Sequence, residues 1–182
     1  MTPPSMDTHA EAPSIFRLHA GHAAEYRRLM LRAYAEHPRA FTTSPGERQH
    51  QPLAWWASRL STDDDAPEVM FGALQDGLLL GAAGLSFEKR EKARHKATLF
   101  GMVVATPAHG QGLGRRLVQA VLDHARGRPA LRLVQLTVTD GNEAAESLYR
   151  ACGFERWGVE PLAVRIGEGF ADKVHLWCDL RR

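Results

Sequence analysis

The spacing of apolar residues predicts a short strand and then helices in the first third of the chain. Apolar and polar residues alternate over 15–18, which indicates a strand. Pro38 ends a helix whose apolar stripe has members three or four positions apart: Tyr26, Leu29, Met30, Ala33, Tyr34 and His37. A second helix is predicted over 53–60. We expect a turn or loop over 42–46.

The middle of the chain has the pattern of a β-sheet. Residues 69–74 lead into Asp76-Gly77, a strong signal for a tight hairpin, and 78–87 form its second arm. A charged loop is expected over 88–96 and a further strand over 97–105. Because residues 99–104 are apolar on both faces, this strand is predicted to lie in the centre of the sheet.

The rest of the chain alternates helices and strands. A glycine-rich segment opens a helix that Gly127 ends, 131–139 form a strand, and Asn142 starts a short helix that Gly153 ends. A hairpin is predicted with arms 162–166 and 174–177, joined through 167–172. The order predicts one mixed α/β domain over residues 14–182, after a disordered tail over 1–13.

Composition and charge exclude several classes of partner. The 182 residues suit a single domain, and the net charge of +2 is spread over the chain, which argues against nucleic acid as the partner. No apolar run reaches the roughly 20 residues that span a bilayer, so no membrane partner is expected.

The N-terminus lacks the basic start and apolar stretch of a secretory signal, and the expected location is cytoplasmic. Cys152 and Cys178 are expected to be reduced thiols.

Residues 109–114, His-Gly-Gln-Gly-Leu-Gly, carry the candidate chemistry. They lie between a predicted strand and an amphipathic helix. The first N–H groups of a helix have no internal acceptor, and glycines let the backbone approach a phosphate closely. This order of elements therefore predicts an anion-binding loop, although a glycine-rich turn without a ligand fits it too.

Two familiar phosphate loops fit the spacing poorly. A P-loop requires Gly-Lys-Ser/Thr, but Gly114 is followed by Arg115-Arg116. A dinucleotide fingerprint requires a third glycine where Arg115 stands, and it belongs to the first strand–helix unit of its fold. A nucleotide-binding protein that uses the same glycines stays open as an alternative.

Two segments resemble the GNAT superfamily of N-acetyltransferases. Residues 109–115 are similar to its pyrophosphate loop, Arg/Gln-x-x-Gly-x-Gly/Ala. Residues 142–154 are similar to its Asn-x-x-Ala-x-x-Leu-Tyr-x-x-x-Gly-Phe segment, and they follow a strand at the family's distance from the loop. The resemblance implies a single-domain, mostly antiparallel mixed sheet with helices on both faces and a splayed central strand.

The resemblance also implies acetyl transfer from acetyl-CoA to a primary amine, by direct attack in a ternary complex. Tyr149 would be the general acid, and the Val104 N–H a candidate donor to the developing oxyanion. Asn142 either binds the pantetheine arm or caps its helix. The residues implied to hold acetyl-CoA are Met102, Val103, Val104, His109, Gly110, Gln111, Gly112, Leu113, Gly114, Arg115, Asn142 and Ala145.

Three features leave questions open. His109 replaces the family's Arg or Gln, so cofactor affinity is expected to be lower or pH-sensitive, with Arg115 supplying positive charge. No general base stands out; the candidates are Glu36, His37, Glu47 and Glu160. No metal is expected, since His95 and His175 are isolated in sequence.

The acceptor is expected to be an amine of a small molecule or of a peptide or protein. Its pocket is predicted to involve residues 39–43, Trp55 and Trp56 from the N-terminal helices, together with the 167–172 hairpin. The alternative to an enzyme is an acyl-CoA sensor that has kept the loop but lost catalysis. A homodimer is possible.

Overall fold

The computed structural model describes residues 12–182. Most of the predicted tail, residues 1–11, lies outside the described residues, and 12–13 are irregular chain before the first strand. The elements in chain order are β1 (Ser14–Arg17), α1 (Ala23–Glu36), α2 (Pro45–Arg48), α3 (Leu53–Ser58), β2 (Glu68–Gln75), β3 (Leu78–Phe87), β4 (Lys96–Val104), α4 (Leu113–Arg126), β5 (Leu133–Thr139), α5 (Glu143–Ala151), β6 (Glu155–Ile166) and β7 (Gly169–Asp179).

The described strands form one seven-stranded sheet in the order β1-β2-β3-β4-β5-β7-β6. All neighbours are antiparallel except β4 and β5, which are parallel. That parallel pair covers only Lys96 to Thr98 against Leu133 to Gln135, and the two strands separate beyond it. The predicted fold class, with its splayed central strand, is confirmed.

The helices cover both faces of the sheet, as predicted. Alternate residues of β2 point to opposite sides: Val69 belongs to the core beneath α4 and α5, and Met70 to the core beneath α1 and α3. Leu117 and Val121 of α4 are fully buried in the first core. Helix α1 buries Tyr26 and Met30, which belong to the stripe expected from sequence.

Two sequence expectations about loops were wrong. The segment over 42–46 is not all loop, because Pro45 begins α2 after Ser44, whose N–H donates to the carboxylate of Glu47 at 2.6 Å. The connection over 167–172 is also shorter than expected, since β6 runs to Ile166 and β7 starts at Gly169. Both arms of that hairpin expose apolar residues such as Leu162 and Phe170, so their sequence lacks the alternation that marks a half-buried strand.

Candidate functional site

The central strand bends where it leaves its parallel neighbour. Ala82 pairs with Val103 and Gly84 with Phe100, so β4 carries one more residue than β3 between these pairs. Gly101 lies in this bulge with a φ of 60°. The bulge and the separation from β5 leave the backbone of residues 101–104 without a partner strand on one side.

The backbone of Val104 faces this gap. The next residue, Ala105, donates its N–H to the carbonyl of Leu80 in β3 at 2.7 Å. Successive N–H groups of a strand point in opposite directions, so the N–H of Val104 points away from β3. Its orientation is that expected of an oxyanion donor, while its role stays a prediction.

The glycine loop presents a set of free amides. Gly110 and Gly112 have φ values of 74° and 71°, and Gly112 is the N-cap of α4. Within the described residues, the N–H groups of 110–115 have no acceptor; the first helical bond joins the Arg116 N–H to the carbonyl of Gly112. The expectation that the set starts at residue 109 was wrong, because the His109 N–H donates to Thr106.

A cleft of about 500 Å³ lies between β4, the glycine loop and α5, and we call it the glycine cleft. It brings together all but two of the residues predicted for the site. Those that line it are Met102, Val103, Val104, His109, Gly110, Gly112, Leu113, Gly114, Arg115, Asn142 and Ala145. At Gly114 the walls approach closely: a Cβ there would lie 3.2 Å from the side chains of both Leu148 and Met102.

The two exceptions are Gln111 and Tyr149. Gln111 is exposed and turns its amide back to the carbonyl of Pro107 at 3.2 Å, so only its backbone remains for a ligand. Tyr149 is 6% exposed, and its ring packs edge-on against Phe154 in the core beneath α4 and α5. Burial raises the pKa of this phenol above its ordinary value, so the group stays protonated at neutral pH.

Helix α5 is held at the cleft by its cap. The side-chain oxygen of Asn142 accepts a hydrogen bond from the Ala145 N–H at 3.2 Å, which is the capping role considered from sequence. Asn142 also lines the glycine cleft, so its amide nitrogen is available for a second role. Sequence analysis missed Ala144 and Leu148 as lining residues, although their spacing of four positions places them on one face of α5.

A second cavity, of about 280 Å³, adjoins the glycine cleft, and we call it the aromatic cavity. Its walls come from α1, α2, α3, the segment 40–43 and residues 98–101 of β4, with Arg59 after α3, Thr137 of β5 and Lys173 of β7. The predicted acceptor residues at 40–43, Trp55 and Trp56 line it; Arg39 does not, and of 167–172 none does. Ala40 and Phe41 line both cavities, which therefore meet beside the bulge at Gly101.

Of the four candidate bases, His37 alone lines the glycine cleft, and its ring stacks against His109 with centroids 6.3 Å apart. Glu36 pairs with Arg32 at 2.6 Å, and this hydrogen bond lowers its pKa. Glu47 is bonded to the N–H of Ser44. Glu160 lies on β6, 3.3 Å from His175.

The described part of the chain contains neither a cluster of metal-ligating side chains nor a disulfide bond. Over residues 12–182 no three His, Cys, Asp or Glu side chains come together as a metal site. His95 precedes β4, while His175 lies in the middle of β7 beside Glu160. Cys152 and Cys178 are both free thiols. No helix among the described residues has the length and apolar character needed to cross a membrane.

Comparison with known proteins agrees with this geometry. The family model described as "Acetyltransferase (GNAT) family" matches residues 28–154. The mycothiol acetyltransferase of Salinispora arenicola is 32% identical over 132 residues, covering 72% of this chain and 40% of the relative. The N-alpha-acetyltransferase RimI of Mycobacterium tuberculosis is 37% identical over 97 residues, which cover 52% of this chain and 57% of the relative.

A solved structure shows the same fold. The phosphinothricin acetyltransferase of Sinorhizobium meliloti, in complex with AcCoA, superposes with a TM-score of 0.79 at 18% identity; 93% of this chain and 89% of that chain are covered. In sequence, by contrast, this chain spans 40% of the length of the Salinispora arenicola relative. Similarity in the matched region therefore does not show that this chain has the whole activity of that relative.

Proposed function

Because the chain belongs to the acetyltransferase (GNAT) family, we propose that it transfers an acetyl group from acetyl-CoA to a primary amine. The observation that carries this proposal is the set of free amides over 110–115, a segment whose residues line the glycine cleft except for Gln111. Amides at a helix N-terminus bind phosphate through hydrogen bonds and the helix dipole. In the proposal they hold the pyrophosphate of the cofactor.

The shape of the cleft fits the cofactor as well. A Cβ built on Gly110 or Gly112 meets nothing within 4 Å, so open space lies next to the free amides. The unpaired edge of β4 at Met102–Val104 offers backbone groups to an extended amide-containing arm. Arg115 lines the cleft and supplies positive charge beside the loop.

The proposed reaction takes place where the two cavities meet. When bound, acetyl-CoA supplies the acetyl group as a thioester. A C–N bond forms between the amine and the acetyl carbon, the C–S bond breaks, one proton leaves the amine and one reaches the thiolate. The N–H of Val104, which points into the gap, is proposed to stabilise charge on the carbonyl oxygen.

Tyr149 is proposed to return the proton to the thiolate. A phenol donates a proton only in its neutral form, and Tyr149, whose pKa burial raises further, is in that form at neutral pH. Its ring lies behind the cleft wall, next to the lining residue Leu148 in the chain. For transfer, the hydroxyl must reach the cleft from this position, which makes Tyr149 the residue to test first.

The direct test is a thiol-release assay with acetyl-CoA and a panel of amines. Tyr149→Phe is expected to lower kcat by about 100-fold, in the range for general acid catalysis, with the Kd for acetyl-CoA unchanged. Leu162→Ala, on the exposed outer arm of β6, is the matched control and is expected to leave kcat unchanged. An unaltered kcat in Tyr149→Phe would remove this residue from the mechanism.

One observation favours the second candidate, an acyl-CoA sensor. Among the described residues, those that line the aromatic cavity include no carboxylate or imidazole that could take the proton of an ammonium group. If coenzyme A binds but no amine on a broad panel is acetylated, the sensor is the better description. Binding of ATP or NAD that coenzyme A does not displace would point to the nucleotide-binding alternative.

The remaining expectations are part of the same proposal. We propose one transferase domain over 14–182, an acceptor that is a small-molecule or peptide amine, and a cytoplasmic location. A homodimer stays a prediction.

A further inference from the structure

The described residues that line the aromatic cavity carry positive charge and no negative charge. Arg48, Arg59 and Lys173 line it, and its other lining residues are apolar, aromatic or hydroxyl-bearing. The indole N–H of Trp56, another lining residue, is buried and has no hydrogen-bond partner among the described residues. All these groups are donors, so the cavity is suited to a ligand that brings acceptors.

Two of the three charges have no carboxylate paired with them in the part of the chain that the structure describes. Arg59 is the exception, because its guanidinium bonds Glu68 at 3.1 Å. Lys173 donates to the hydroxyl of Thr42 at 2.6 Å, and the guanidinium of Arg48 lies over the ring of Trp55. The hydrogen bond from the Ser44 N–H and the charge of the neighbouring Arg48 lower the pKa of Glu47, but its carboxylate forms no ion pair with Arg48 among the described residues.

The arginines are held in place by aromatic rings. The guanidinium carbons of Arg48 and Arg59 lie 4.8 and 5.0 Å from the ring centroid of Trp55. Arg59 also lies 5.8 Å from the centroid of Phe100 on β4. Burial raises the pKa of Tyr34, and the charges of these two arginines oppose that rise, which places both near its phenol. Cations fixed in this way lose little freedom on binding an anion.

We propose that the acceptor is a small zwitterion: a primary amine that also carries an anionic group such as a carboxylate or a phosphonate. This inference rests on the proposed acetyl transfer and names its substrate class. In this proposal Arg48 and Lys173 bind the anionic group, and Arg59 lies between Glu68, with which it forms an ion pair, and the ligand. The amine then lies toward Gly101, where the aromatic cavity meets the glycine cleft.

The same charges disfavour other amines. A polyamine or a lysine-rich peptide would bring further positive charge next to three cations in a partly desolvated cavity, where like charges repel strongly. An amine that carries no anionic group would leave Arg48 and Lys173 desolvated without a partner. A volume of about 280 Å³ also limits the acceptor to a small molecule.

The test compares matched amines that differ only in the anion. 4-Aminobutyrate and 3-aminopropylphosphonate are each assayed against the uncharged 4-aminobutanamide, with spermidine as the cationic probe. We expect kcat/KM to be about tenfold or more higher for the anionic amines, the factor expected of hydrogen bonds to a charged group. Arg48→Gln and Lys173→Gln should each lower this preference several-fold.

Arg94→Gln is the control, because Arg94 is exposed before β4 and lines neither cavity. Melting curves check that the variants fold, and Arg48→Lys provides a milder change at the same position. Equal or better turnover of the neutral amide or of spermidine overturns the inference, as does a preference for anions that survives both substitutions.

A binding measurement separates this inference from the proposed function. The tryptophan fluorescence, to which Trp55 and Trp56 in the cavity wall contribute, is followed while 4-aminobutyrate or its amide is titrated into the protein with coenzyme A present. Suppose that 4-aminobutyrate binds more tightly than its amide, that this difference shrinks in Arg48→Gln, and that no amine is acetylated. This result supports the anion site and contradicts acetyl transfer. Turnover without discrimination between the two probes supports acetyl transfer and defeats the anion site.

Discussion

The imidazole of His109 donates a hydrogen bond to the carbonyl oxygen of Val104, with 2.7 Å between Nε2 and the oxygen. A carbonyl can only accept, so Nε2 carries the proton. The bond ties the glycine loop back onto the last residue of β4, beside the gap between β4 and β5. His109 therefore connects the two parts of the glycine cleft, the loop and the strand edge, rather than pointing away from the strand as a free cation.

Substitutions at His109 separate its charge from its hydrogen bond. His109→Gln keeps a donor for Val104 and is expected to bind coenzyme A about as well as the wild type. His109→Ala loses the tie, and its Kd should rise about threefold, the size of a typical single hydrogen bond. His109→Arg adds a permanent charge and should bind about threefold tighter at low salt, an advantage that fades as salt rises.

Calorimetric titration of the three variants at two salt concentrations checks this. Tighter binding by His109→Ala would contradict it, because the imidazole would then be competing with the ligand for the Val104 carbonyl.

Gly112 is expected to be essential for loop geometry. Its φ of 71° is a left-handed conformation that costs a residue with a Cβ about 1 kcal/mol. Since a Cβ here would meet no neighbour, Gly112→Ala tests the conformation alone. The Tm should fall by about 2–4 °C, and coenzyme A affinity should fall about tenfold as the amides turn away.

Gly158→Ala is the control, since Gly158 has no positive φ and open space at its Cβ position. If Gly112→Ala and Gly158→Ala behave alike in both measurements, the loop does not hold the ligand through its backbone shape.

Gly114 tests the width of the cleft instead. A methyl group here would lie 3.2 Å from Leu148 and Met102, so both walls must move by a few tenths of an ångström. Gly114 lies in the first turn of α4, where alanine has a higher helix propensity than glycine, so we expect little change in Tm. Coenzyme A affinity should fall, because the methyl group occupies the space between β4 and α5. A variant that loses stability but keeps its affinity would show that this contact belongs to the core.

The sequence predicts the local parts of this site and misses the parts that the fold assembles. The glycine loop and the cap at Asn142 are encoded within a few residues, so motif spacing identifies them. The aromatic cavity joins Arg48 of α2, Arg59 just after α3 and Lys173 of β7, which have no shared pattern in the sequence. The hydrogen bond from His109 to Val104 could not be predicted from the sequence either, because a motif does not specify the direction in which a side chain points.

Alkaline pH is expected to destabilise the protein through its buried tyrosines. Burial raises the pKa of Tyr26, Tyr34 and Tyr149, which are all of its tyrosines. In the unfolded chain these phenols titrate near pH 10, whereas in the folded protein they keep their protons to higher pH. Above about pH 10 the unfolded state therefore binds fewer protons, and the free energy of unfolding falls as pH rises.

Each tyrosine contributes at most about 1.4 kcal/mol per pH unit to this fall. Tyr26→Phe and Tyr149→Phe should each make the decline between pH 10 and 11 less steep, while below pH 9 their pH dependence should match that of the wild type. Urea unfolding at pH 8, 10 and 11 measures the slope, and spectrophotometric titration of the phenolate follows ionisation directly. If both variants lose stability between pH 10 and 11 as steeply as the wild type, then the fold does not raise the pKa of these phenols above that of the unfolded chain.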